Sequence, residues 1–276
     1  MSMKLMYITN NPEIAQVVEA ASVDRIFVDL EYIGKDLRQG GKNTVQSKHT
    51  LEDAKKIAKV ITSSELLVRV NPIHEATEEY SSSEEEIHGA IQSGADWIML
   101  PYFKTTEEVE LFISYVNKQA KTILLLETPE AVECLDEILE LEGIDEIFIG
   151  LNDLSLGYGK KFMFEVLSDG TVDKIIEKLK ASHIPYGFGG LASLNEGLVP
   201  GKMILKEHYR LGSESVILSR SFCDASKVTD IETIKKRFNE GVCAIRAYEK
   251  ECVNADDYLQ NQKNVQIAVE SVVKNR

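Results

Sequence analysis

Residues 147–159 read IFIGLNDLSLGYG. The stretch opens as a strand that is apolar on both faces, as strands of a covered parallel sheet are, and then delivers Asn152 and Asp153 to its far end. A carboxylate placed there is either paired within the core or exposed to a site. The rest of the chain decides which.

Comparable apolar runs recur at KLMYI (4–8), RIFVDLE (25–31), LLVRVN (66–71), DWIMLPY (96–102) and TILLLET (122–128). After EIFIGL (146–151) come IPYGFGG (184–190) and SVILSR (215–220). Helical patterns separate them. Thr50 with Asp53 and Thr105 with Glu108 give helix starts, Ser83 with Glu86 fits a capping box, and Pro129 stands in a first turn. Gly94, Gly143 and Gly212 follow helix ends, where a left-handed residue is wanted. Eight βα repeats predict an α/β fold that closes into a (β/α)8 TIM barrel. A doubly wound open sheet competes, but the GxGxxG expected after its first strand is missing. Past the last strand, residues 231–250 and 254–273 both read as helices, one more than closure requires. The chain therefore reads as a single TIM-barrel domain over 1–276, with 224–276 as a C-terminal helical extension.

Composition narrows the function. A net charge of −14 and a pI of about 4.9 argue against a general nucleic-acid or anionic-membrane binder. No apolar run approaches the roughly 20 residues that span a bilayer, and MSMKLMYITNN does not read as a signal peptide. Cys134, Cys223, Cys243 and Cys252 show no CxxC or zinc spacing and read as reduced thiols of a cytoplasmic protein.

In a TIM barrel, chemistry gathers at the C-terminal strand ends. Those ends carry Asp29, Glu31 and Tyr32 on strand two, Arg69 and Asn71 on strand three, Glu127 on strand five and Asp153 past strand six. Glu127 and Asp153 lie on neighbouring strands and could converge on one hard cation, since Mg²⁺ commonly takes one or two protein carboxylates and fills its shell with water and substrate oxygens. Each could instead pair with an arginine or cap a helix. Arg69 should point into the barrel mouth, where its fork would meet either a substrate carboxylate or an internal partner such as Glu31 or Glu127.

The ordered set VDLE (28–31), LVRVN (67–71), GADWIMLPY (94–102), LLLET (124–128) and IFIGLNDLSLGYG resembles the HpcH/HpaI aldolase and citrate lyase β-subunit family over roughly residues 24–160. The resemblance implies that Glu127 and Asp153 bind Mg²⁺, or Mn²⁺ or Co²⁺. It implies that Arg69 holds the substrate's carboxylate or carbonyl oxygen, and that the Gly150–Leu151–Asn152 turn lines the same pocket. The implied reaction is carbon–carbon bond cleavage or formation through an enolate of pyruvate, or of a related 2-oxo acid, held on the metal. A malyl- or citramalyl-CoA type thioester lyase is the alternative within enzymes, and a non-catalytic metal- and anion-binding barrel the alternative outside them. One departure stands out. Tyr32 occupies the place where aldolases of the family carry their acid/base histidine.

The loop YIGKDLRQGGKNTVQSKHT (32–50) holds Lys35, Arg38, Lys42, Lys48 and His49 against the one acid Asp36. In an acidic chain this balance suits an anionic small-molecule substrate, with Lys35 and Arg38 as contacts. His49 and Tyr32 are the candidate acid/base groups, with His74 a third; His88, His183 and His208 read as surface or packing residues. The glycines of YGFGG (186–190) could approach a phosphate or simply let the chain turn, with Ser219, Arg220 and Ser221 nearby. Ile231, Ile234, Phe238, Val242, Ile245 and Tyr248 form one apolar stripe, and Tyr258, Val265, Ala268, Val269 and Val272 a second. With one helix covering the barrel, the other lacks an evident surface of its own chain, so a homo-oligomer, trimer or hexamer, is expected with 254–273 in its interface.

Overall fold

The computed structural model describes residues 2–35, 48–225, 227–228, 230–253 and 255–275. Eight parallel strands close into a barrel in sequence order: β1 Lys4–Ile8, β2 Arg25–Asp29, β3 Glu65–Arg69, β4 Trp97–Leu100, β5 Lys121–Leu126, β6 Glu146–Ile149, β7 Tyr186–Leu191 and β8 Ser215–Leu218. This is the TIM barrel that the repeat pattern predicts. Most strands end two residues earlier than their apolar runs. Glu31, Asn71, Glu127 and Asp153 therefore lie just beyond the ladder, in the connections that form the mouth.

Inward parity orders the interior. Side chains alternate faces along a strand, and a barrel of this kind fills with layers drawn from alternate strands. Arg25, Trp97, Glu146 and Ser215 open β2, β4, β6 and β8, and they interact with one another at the barrel floor. Two residues on, Phe27, Met99 and Phe148 with Ile217 fill the same four strands higher up, while Met6, Leu67 and Ile123 come from the odd strands between. Gly187 completes the odd set because a Cβ there would stand 2.0 Å from the Ser215 Oγ. Continuing the same parity brings Arg69 and Glu127 inward above Leu67 and Leu125.

The helix starts follow their sequence signals with one slip. Thr50 with Asp53 and Thr105 with Glu108 form capping boxes, and Pro129 opens its helix. In SSSEEE the box is Ser82 with Glu85, not Ser83 with Glu86. The repetitive stretch fits the spacing in two frames, and the frame adopted frees Glu86 to turn inward, where it accepts from the backbone N and Nδ2 of Asn71. Gly94, Gly143 and Gly212 all have φ between +76° and +99°, as their helix-ending positions require. All four cysteines are free thiols.

The two C-terminal helices cover the barrel's own outside. Helix α11, Ile231–Cys252, lies against α1, Pro12–Ala20, and against α10, Gly201–Leu211. Helix α12, Tyr258–Lys274, packs on α10 and on the short α8, Glu165–Ser168. Val265 and Val269 are buried there, and Asn261 Nδ2 donates to Met203 O at 3.0 Å and to Glu207 Oε1 at 2.8 Å. The expectation that the second helix lacks a surface of its own chain is thus corrected. A stripe shows that a face is buried but not against what.

Candidate active site

At the mouth, the end of β2 builds a charge cluster. Asp29 and Arg69 are register partners on β2 and β3, and the Arg69 fork grips Asp29 through Nε and Nη2, both at 2.8 Å. Arg69 Nη2 also lies 3.2 Å from Glu31 Oε2. Lys35, at the edge of the described loop, turns back so that its Nζ is 3.1 Å from Asp29 and 3.3 Å from Glu31. Asp29, Glu31 and Lys35 are all buried. Burial works against the Asp29 carboxylate, but Arg69 and then Lys35 outweigh it and hold its carboxyl well below the usual range. Burial likewise opposes the Arg69 charge, and Asp29 and Glu31 more than offset it, binding its proton more tightly still. The internal partner of Arg69 is therefore principally Asp29, a residue that sequence reasoning placed at the strand end without pairing it to Arg69.

Asn71 organises the same corner. Its Oδ1 accepts from the backbone N of Tyr32 and of Ile33, both at 2.9 Å, while Glu86 holds its amide from behind. This fixes where the loop leaves β2, a role that no sequence motif announced.

Across the mouth, Glu127 accepts from the backbone N of Tyr102 at 3.1 Å, and Tyr102 sits at φ +50°, a conformation costly for an aromatic residue. Gly150 packs directly against Glu127 and opens α7, Leu151–Gly157, in which Asp153 is buried and accepts from Asn152 Nδ2 at 2.9 Å. A cavity of about 220 Å³ joins these parts. Glu31, Lys35, Arg69, Glu127, Gly150, Leu151, Asn152 and Asp153 line it over an apolar base that includes Phe27, Met99 and Phe148. Met163, Gly189 and Gly190 complete the wall. Gly189 has φ +58°, and a Cβ there would meet Leu151 at 2.8 Å, which favours the turn reading of YGFGG. Glu127 and Asp153 also face a second recess of about 490 Å³ with Tyr102, Pro129, Glu133 and Leu156, so they stand between two spaces.

The donor set suits a hard divalent cation. Glu127 and Asp153 are buried carboxylates on one cavity, and that cavity presents three carboxylates against two cationic side chains. An anion entering it needs further positive charge, which a divalent ion held by Glu127 and Asp153 would supply. Among the described residues no group of three or more His, Cys, Asp or Glu side chains clusters as a metal site, so such an ion would complete its shell with water and substrate.

The other candidates fall elsewhere. Tyr32 is 42% exposed, its ring 5.1 Å from that of Tyr80, and it does not line the cavity. His49 Nδ1 accepts from the Asp29 backbone N at 3.0 Å, which leaves the proton on Nε2, and burial pushes its pKa down. Its ring thus braces β2 from outside the cavity lining. His74 is tied to Pro72, Ser81 and Ser83 within its own loop. His208 is fully buried, stacked 3.8 Å from Phe188 and pushed down to about 3 by that burial. Lys48 is exposed, and Arg38 and Lys42 lie outside the described residues.

Comparison with known proteins identifies the family and the fold. Residues 4–184 match the profile of the family described as HpcH/HpaI aldolase/citrate lyase. No curated protein matches. Among solved structures, an HpcH/HpaI aldolase from Desulfitobacterium hafniense DCB-2 superposes with a TM-score of 0.63 at 15% identity, covering 85% of this chain and 93% of that one. An HpcH/HpaI aldolase/citrate lyase family protein from Burkholderia cenocepacia J2315 gives 0.63 at 13% identity, covering 85% and 95%. The citrate synthase SbnG gives 0.61 at 18% identity, covering 86% and 94%. At such identities the structural likeness is one of fold.

Proposed function

The chain belongs to the HpcH/HpaI aldolase/citrate lyase family, and we propose that it is a divalent-metal-dependent lyase that makes or breaks a carbon–carbon bond through the enolate of pyruvate or a related 2-oxo acid. The observation that carries this reading is the single cavity shared by Arg69, Glu127, Asp153 and the Gly150–Asn152 turn. Arg69 Nε and Nη2 face Asp29 and Glu31, so its Nη1 is the edge that would receive the substrate carboxylate. Glu127 and Asp153 would hold Mg²⁺, Mn²⁺ or Co²⁺, which supplies Lewis-acid stabilisation of the enolate oxygen when bound. Phe27, Met99 and Phe148 give the cavity an apolar base, a low-dielectric surface that strengthens the charge interactions above it. The recess beyond Glu127 and Asp153 offers room for the second fragment.

Solvent deuterium exchange at the pyruvate methyl tests enolisation without knowledge of the second substrate. Metal-dependent exchange is expected, and its absence across Mg²⁺, Mn²⁺ and Co²⁺ would sink the reading. Calorimetry should show that Glu127→Gln, equal in shape and lacking the charge, binds the metal more weakly than the parent protein.

The same reading takes the chain as one domain, in the cytoplasm, assembled as a homo-oligomer. No described helix is long and apolar enough to cross a membrane. On α12, Leu259 and Ile267 are 73% and 65% exposed, so a face remains outward after the helix has covered its own barrel. Mass measurement by light scattering at micromolar concentration should return a trimer or hexamer; a monomer would reject the assembly.

A further inference from the structure

We propose that Lys35 carries the proton to and from the substrate carbon in this cavity, an assignment that rests on the enolate reading above. Five described residues that line the cavity can ionise: Glu31, Lys35, Arg69, Glu127 and Asp153. Arg69 is a guanidinium whose proton Asp29 and Glu31 hold more tightly than usual, so it does not exchange in turnover. Glu127 and Asp153 are the carboxylates available to the metal. Glu31 lies within ion-pair distance of both Lys35 and Arg69. Tyr32, His49 and His74 do not line the space at all. Lys35 is what remains, and its placement fits the task.

The Lys35 side chain is 8% exposed and its Nζ stands beside two fixed carboxylates, which orient it. An ammonium has three N–H donors. Asp29 and Glu31 engage two at 3.1 and 3.3 Å, and the third can serve a substrate in the cavity. In cleavage, the carbon–carbon bond breaks and its electron pair stays on the three-carbon fragment as the enolate. The hydroxyl proton of the departing carbonyl fragment passes to solvent. The enolate carbon then takes a proton from Lys35 Nζ, pyruvate leaves with its methyl complete, and water recharges the amine. In reverse, the neutral amine removes a methyl proton. Asp29 and Glu31 thus hold Nζ in place beside the substrate through each transfer.

Pyruvate methyl exchange in D₂O, followed by proton NMR on metal-loaded protein, compares the parent with Lys35→Arg and Lys35→Ala. Oxalate binding by calorimetry reports the integrity of the cavity independently of turnover. Lys35→Arg keeps the charge and both ion pairs, so it should bind oxalate as the parent does yet exchange about 100-fold more slowly or worse, the usual scale for a lost acid/base group. Lys35→Ala should be equally slow and should recover part of its rate with added methylamine but none with tetramethylammonium. Parental exchange in Lys35→Arg overturns the assignment. So does a slow Lys35→Ala that methylamine does not rescue, coupled with lost oxalate binding in both variants, because Lys35 then only holds the carboxylates in place. A parent protein that does not exchange removes the enolate reading itself, and the assignment falls with it.

Discussion

Replacing Glu146 by leucine is expected to lower the unfolding free energy by about 3–5 kcal/mol, the scale for leaving one partner of a buried ion pair alone. Arg25 is fully buried and donates from Nη1 to Glu146 Oε2 at 2.7 Å, while Ser215 Oγ donates to Oε1 at 2.6 Å. Trp97 lies under the guanidinium at 3.9 Å. The remaining partner, Glu65, is 3.2 Å from Arg25 Nε and partly open to water, which screens it. Its carboxylate cannot replace the one removed. Changing Arg25 to methionine in the Glu146→Leu background should recover most of the loss, because an apolar pair of similar volume is often neutral relative to the buried ion pair. Urea denaturation of the parent, the single variant and the double variant measures both effects. A Glu146→Leu protein within about 1 kcal/mol of the parent would show that water or Glu65 satisfies Arg25, and that the floor network adds little to stability.

That floor marks where sequence reading ran out. Arg25, Trp97, Glu146 and Ser215 each open an even-numbered strand, and all four face inward with the same parity as Phe27, Met99, Phe148 and Ile217. Read locally, a charged residue at the start of an apolar run looks like a boundary. Only closure of the barrel brings a residue of β2 to one 121 positions away on β6. The mouth was more legible because its residues follow strands whose apolar character is unmistakable, and Arg69, Glu127 and Asp153 do line one cavity. The partner of Arg69 was missed for a reason of register. Asp29 faces Arg69 directly across β2 and β3, and parity alone cannot rank Asp29 above Glu31 or Glu127. Tyr32 was placed by analogy with the family's histidine, yet β2 ends at Asp29 and Asn71 bends the chain outward before that ring is reached. Lys35, three residues later, returns inside because Asp29 and Glu31 draw it there.

Gly150→Ala is expected to cost about 100-fold or more in pyruvate methyl exchange and to weaken metal binding, although the residue has no side chain and an ordinary φ of −81°. A Cβ at this position would stand 2.6 Å from Glu127 Oε2, 2.8 Å from Glu127 Cβ and 3.2 Å from Leu125 Cδ1. Swinging the carboxylate aside relieves only the first of these contacts. Glu127 Cβ is fixed to the backbone at the end of β5, so the strand end or the Gly150 turn must shift as well. Either shift changes the spacing between Glu127 and Asp153, the two groups proposed to share the cation, and a displacement near 1 Å is enough to cost that much in a positioned reaction. Overpacking by one methyl should lower stability by only about 1–3 kcal/mol, so the protein remains folded and the loss is one of function. Gly170→Ala is the matched control. It has φ +86°, so alanine strains it by roughly 1 kcal/mol, but nothing lies within 4 Å of the added Cβ and exchange should not change. Calorimetric titration of Mn²⁺ and the exchange rate, measured on both variants, separate the two cases. Parental metal affinity and exchange in Gly150→Ala would mean that the Glu127 carboxylate can move without consequence, which would remove it from the metal site.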